Sequence, residues 1–215
     1  MTENAIVGFP RWTGKTTFSA GGGSWAAAYP VTNLGTLPLA KVARTASAAR
    51  LSTRFLATLD RDRGVRLLGL CRHNFSIDAL QRVSLSSGPA CVFTVNTSTN
   101  VLTAVGHEII DGSAVVPWTT AADLPASSPQ IAEDTVYYAG TVSGSTFKLY
   151  PTEADALAET NAIDFSDPGT GTHTILGPIL YRGDWEDTWP IVYSDEDLEW
   201  EDPNWWTGKY TEDEL

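Results

Sequence analysis

The apolar residues of this chain come in short runs that alternate with polar ones, and turn-forming residues end each run. CVFTV and VLTAV flank Asn96-Thr97-Ser98-Thr99-Asn100, and DTVYYAGTV and TFKLY flank Ser143-Gly144-Ser145. A period of two puts alternate side chains on one face, so two such runs around a polar or Gly-containing turn predict a hairpin. RLSTRFLATLD follows the same rule, with Leu51, Phe55, Ala57 and Leu59 set against Ser52, Arg54 and Thr58. VRLLGLC has apolar side chains in both phases and predicts a more deeply buried strand, and LQRVSLS predicts another. Glu153 to Thr160 suits a short helical turn, and DPGTGTHTI reads as extended chain. Residues 1–48 are rich in loop formers, with short extended pieces pinned by Trp12, Trp25 and Tyr29. The expectation is an all-β protein.

At 215 residues there is room for one large domain or two small ones. Composition changes at Ser86-Ser87-Gly88-Pro89 and again near Gly177-Pro178, which predicts a segment of separate character between them. Charge follows the same division. Residues 1–86 are net +7, residues 87–182 net −8 and residues 183–215 net −11, for a total of −12. That total argues against nucleic-acid binding, which needs a basic face. A basic front and acidic tail predict that the two ends meet, within one subunit or between two.

No stretch is apolar enough for a membrane helix, and MTENAIVGFPRWTGK lacks the apolar core of a secretion signal. Cys71 and Cys91 have no metal-binding spacing; buried thiols are the simple reading, with a disulfide as the alternative. WTGKTT invites comparison with a phosphate-binding loop, but Phe9 stands where the first glycine is needed. His73, His107 and His173 are too scattered for a helical metal motif. No nucleophile elbow or HExxH zinc motif occurs, and the acidic run 195–202 has Trp200 where a calcium loop needs glycine. No metal, cofactor or catalytic residue is therefore expected.

The tail is the richest segment. In DEDLEWED, Asp195, Asp197, Glu199 and Glu201 fall on one face of a strand, and Leu198 and Trp200 on the other. A facing row that includes Arg50, Arg54 and Arg66 would relieve the repulsion among these carboxylates. Trp185, Trp189, Trp200, Trp205 and Trp206, with Tyr193 and Tyr210, could stack on sugars or dock the chain end against protein. Docking is the preferred reading, because an undocked chain end frays.

RFLATLDRDRGVRLLGLCRHNFS, with Asp60, the 65–71 strand and His73-Asn74, resembles a region of bacteriophage tail proteins. Such domains are similar to the galactose-binding, or discoidin-like, β-sandwich. The string from Trp200 to Tyr210 resembles the C-terminal signature of phage and prophage tail proteins. Tyr137-Tyr138, Thr146–Leu149 and Gly169–His173 resemble a small β module of tail fibres and tail-tip proteins. The likeness covers most of the chain outside roughly residues 10–45.

The resemblance implies a jelly-roll type, galactose-binding-like sandwich from residues 1–86 and 179–215, with a small β domain inserted at 87–178. It implies a non-enzymatic tail-tip or minor tail subunit, made in the host cytoplasm and located in the virion. Its partners would be other tail proteins and further copies arranged by the tail's symmetry. His73, Asn74, Trp185, Trp189, Trp200, Trp205, Trp206 and Tyr210 are the candidate ligand or subunit contacts. A receptor-binding protein holding a host-surface glycan through the sandwich rim is the alternative, and a glycan hydrolase a second one.

Overall fold

The computed structural model describes residues 15–35, 42–61, 80–120 and 123–187. The side chains of Arg50 and Leu51 lie outside that description, as does the predicted strand at 65–71. The chain divides into two compact units, one of Met1–Arg11, Val65–Val83 and Gly183–Leu215, the other of Trp12–Gly64 and Ser84–Arg182. Strand dominates the described residues.

Strand β1 (Thr16–Ser19) pairs antiparallel with β2 (Leu56–Leu59). β2 begins later than the alternation of RLSTRFLATLD predicts, because Arg50–Thr53 forms a 3-10 turn. Phe55 sits just before the strand and meets Phe18 and Trp25, with ring centroids 6.2 and 6.3 Å apart. Ala57 is exposed, so the dry face expected to include it is shorter than predicted. Another 3-10 turn occupies Val31–Gly35. LQRVSLS is divided between β3 (Leu80–Gln81), in the first unit, and β4 (Ser84–Ser86), in the second.

The main body of the second unit is a closed antiparallel barrel of six strands. They are β5 (Ala90–Asn96), β6 (Val101–Ala104), β7 (Ala114–Thr119), β9 (Tyr137–Ser143), β10 (Thr146–Tyr150) and β12 (His173–Leu176), in the spatial order β10-β6-β5-β12-β7-β9. Both predicted hairpins are present. In the first, Asn96 Oδ1 accepts from the backbone N–H groups of Ser98 and Thr99, and Asn100 takes a φ of 58°. In the second, Gly144 supplies a φ of 60° between β9 and β10.

Inward positions alternate as the pleat requires. Phe93, Leu102, Phe147, Leu149 and Ile175 fill the interior, with Val92 and Thr94 outside. β7 departs from alternation, since Val115 to Thr119 are all buried. Sequence patterning gave no strand there, because AVVPWT contains Pro117. β9 pairs with β7 only at Ala114 and Val115, so Pro117 has a ladder neighbour on one side alone, opposite Ile175 of β12.

Two small ladders complete the second unit: β8 (Ser127–Ser128) with β11 (Asp164–Phe165), and β4 with β13 (Ile179–Arg182). β4 and β13 are the strands by which the chain enters and leaves the barrel. Ser87 N donates to Pro178 O at 3.1 Å, and Gly88 lies so close to the Gly177 carbonyl that a side chain would collide with it. In the first unit, β14 (Glu186–Asp187) pairs with β3.

Helix α1 (Glu153–Ala158) packs beside β9 and β10, where a helical turn was expected. Thr152 caps it by accepting from Asp155 N, and Glu159 closes it in the left-handed region. Thr152, Asn161 and Thr160 side chains all donate to the Asp155 carboxylate, holding its pKa below the usual aspartate value. A depressed folded-state pKa stabilises the fold above the unfolded value, and that contribution disappears as pH falls through the folded one. Asp155→Asn should therefore lower the thermal midpoint at neutral pH. The gap to wild type should close as pH drops below about 3.8, and calorimetry across pH checks this.

Candidate functional site

Two adjacent carboxylates, Glu133 and Asp134, lie between β8 and β9, and each receives an arginine from a different part of the chain. Arg54 Nη2 meets Glu133 Oε2 at 2.9 Å, with the two side chains only 20% and 15% exposed. The other Glu133 oxygen accepts from Thr119 N at 2.8 Å. The Arg54 guanidinium also stands 5.5 Å from the ring centroid of Trp118, and Trp25 Nε1 donates to the Arg54 carbonyl at 3.1 Å. Arg182 Nη2 reaches both Asp134 Oδ1 and Asp134 O at 2.6 Å, and its Nη1 donates to Ser84 Oγ at 3.2 Å. The front segment thus covers the outer face of β7, which explains why that strand is buried on both sides.

Arg54 was expected to face the acidic tail; in the structure it pairs with Glu133 of the middle segment. The acids proposed for it, Asp195, Asp197, Glu199 and Glu201, lie outside the described residues, as do Arg66, His73, Asn74, Trp189, Trp200, Trp205, Trp206 and Tyr210. Trp185 is described and exposed, and the Arg82 guanidinium covers its ring at 4.3 Å from the centroid. Sequence reasoning missed Trp118, Glu133, Asp134 and Arg182. Arg182 and Lys148 are the only cations among ten acids in residues 87–182, a signal that could have marked Arg182 as an ion-pair partner.

A shallow groove of about 280 Å³ runs along β5 beside the Gly169–His173 turn, and no charged side chain lines it. Asp167 Oδ1 accepts from Gly169 N, and Thr119 and Thr120 hydroxyls reach the Thr172 carbonyl. His173 is buried and tilted on Phe93, with centroids 5.6 Å apart, and its Nε2 lies 3.1 Å from Pro168 O. That contact assigns the proton to Nε2. Among the described residues Nδ1, which is buried, has no partner, and no nucleophile or carboxylate is hydrogen-bonded to the ring. His107 Nδ1 accepts from Ile109 N while its ring meets Phe147 edge-on, so this histidine also packs a core. Cys91 is a free, buried thiol, and burial first and nearby Glu108 second push its pKa up.

Thr16 and Thr17 of the WTGKTT stretch lie in β1 and not at a helix N-terminus, so the geometry of a phosphate loop does not form. Among the described residues no cluster of three His, Cys, Asp or Glu side chains is placed to hold a metal, and no helix is long and apolar enough to cross a membrane. The geometry builds a fastening between segments more clearly than a reaction centre. Comparison with known proteins found no matching family model, no matching curated protein and no matching solved structure.

A double-mutant cycle with Arg54→Met and Glu133→Gln should give a coupling of about 1–3 kcal/mol by chemical denaturation. A coupling near zero would make the pair a surface contact without structural weight. Gly169 has a φ of +76°, and a Cβ there would lie 2.7 Å from His173 Nε2, whereas a Cβ at Gly144, φ +60°, meets nothing. Gly169→Ala should therefore cost about 1–3 kcal/mol, and more than Gly144→Ala in the same assay.

Proposed function

We propose that this chain is a structural subunit of a bacteriophage tail tip or distal tail. In this reading residues 1–86 and 179–215 form a galactose-binding-like β-sandwich that joins the particle, and the segment 87–178 is a module presented by it. The carrying observation is the way the barrel is mounted. Its entry and exit strands, β4 and β13, pair with each other, and the adjacent Glu133 and Asp134 bind Arg54 of the front segment and Arg182 of the exit strand. A filled barrel fastened through its exit strand and through the loop before β9 suits a part that must keep its orientation under load better than one that must open for substrate.

The resemblance of the Trp200–Tyr210 string to tail-protein C-termini supplies the biological setting. The partners would be neighbouring tail proteins and further copies of the chain. Removing residues 200–215 should abolish incorporation into particles, read by immunoblot of purified virions. Truncated protein that still enters particles, which then fail only to adsorb to the host, would replace this reading with a receptor-binding one.

A further inference from the structure

We propose that copies of this chain associate head to tail, with an apolar, acid-rimmed patch on the 110–113 turn and α1 of one copy seated on an apolar, basic patch on the front segment of the next. The proposal deepens the assembly reading and rests on it for its biological setting.

The acid-rimmed patch is built by two elements. Ile110 N donates to Ser113 Oγ and Ser113 N donates to Ile110 O, both at 3.0 Å, which folds residues 110–113 into a tight turn. That turn lies against α1: a Cβ on Gly112 would sit 3.1 Å from Leu157 Cδ2 and 3.8 Å from Glu153 Oε1. Ile110 and Leu157 remain 68% and 62% exposed on these neighbouring elements. Among the described residues their carboxylate neighbours, Asp111 and Glu153, make no ion pair. Asp111 Oδ1 accepts from Val142 N, which fixes the turn and leaves the charge in place.

The complementary patch is equally compact. Arg44 N donates to Tyr29 O at 3.0 Å, Ala26 N donates to Arg44 O at 2.9 Å, and Asn33 Nδ2 holds Val42 O at 2.8 Å. Residues 42–45 are thereby fixed alongside residues 25–33, and Trp25 bridges Thr45. Tyr29 and Val42 are 42% and 54% exposed, and the exposed Arg44 beside them makes no ion pair among the described residues.

Each surface has apolar anchors with charge beside them, and the charges are opposite. That is the arrangement of an interface with a dry centre and a polar rim. The segments that carry them are net +7 and net −8, so like surfaces repel and unlike ones attract. A contact between different patches on identical chains is heterologous, and it closes into a ring or extends as a filament.

The test is sedimentation velocity of the full chain across micromolar concentrations. Wild type should form concentration-dependent oligomers. Arg44→Glu and Glu153→Lys should each weaken association at least about tenfold, with circular dichroism unchanged because both positions are on the surface. The two substitutions in one chain should restore association. A wild-type chain that stays monomeric overturns the proposal and assigns these surfaces to a different protein. So do single variants that associate normally, or a double variant that fails to recover. A monomeric chain that still enters virions would sink this inference and leave the assembly reading standing.

Discussion

Closure of the six-stranded barrel is the constraint on which the rest of the described structure depends. Strands β5, β6, β10 and β12 each turn large apolar side chains inward, and Phe93, Leu102, Phe147, Leu149 and Ile175 leave the interior filled. A filled interior requires the sheet to curl until β9 and β10 join its two ends, and closure removes the open edges that a flat sheet of this composition would expose. It also brings the chain's entry and exit together. With Ala90 opposite Leu176 in the β5–β12 ladder, β4 and β13 continue as a pair outside the barrel.

Charge acts on this body in two ways. Where carboxylates are withdrawn from solvent they are engaged: Glu133 meets Arg54 and a backbone N–H, and Arg182 Nη2 donates to both the carboxylate and the backbone carbonyl of Asp134. Partly buried ions need this completeness, because an unpaired charge there costs more than a paired one returns. Where carboxylates stay in water, as at Asp111 and Glu153, no cation among the described residues pairs with them, and the excess negative charge is available to another surface. The same composition therefore fastens the barrel to the front segment and leaves the 110–113 turn and α1 acidic.

The hairpins around residues 96–100 and 143–145, the short helix after Thr152 and the strand after Thr172 were legible because each is decided locally. Turn chemistry and the period of two act over a few residues. β7 was illegible for the opposite reason: AVVPWT contains a proline and is buried on both faces, so neither propensity nor alternation marks it. The candidate site was legible only in part. Arg54 was singled out for pairing with the acidic tail, whereas the partner described for it, Glu133, lies 79 positions away in a loop with no local pattern. Trp185 was noticed for its aromatic surface, and its pairing with Arg82 depends on the ladder between β3 and β14.

The sequence by itself determined a β-rich chain, the two hairpins, the places where composition changes, and a basic front ahead of an acidic remainder, because these follow from side-chain spacing and net charge. Only the tertiary structure decided that six of the strands close into a barrel, that β7 is central to it, and that Arg54 and Arg182 converge on neighbouring carboxylates. Those outcomes rest on contacts between residues far apart in the chain, where the geometry of closure, and not local preference, selects the partner.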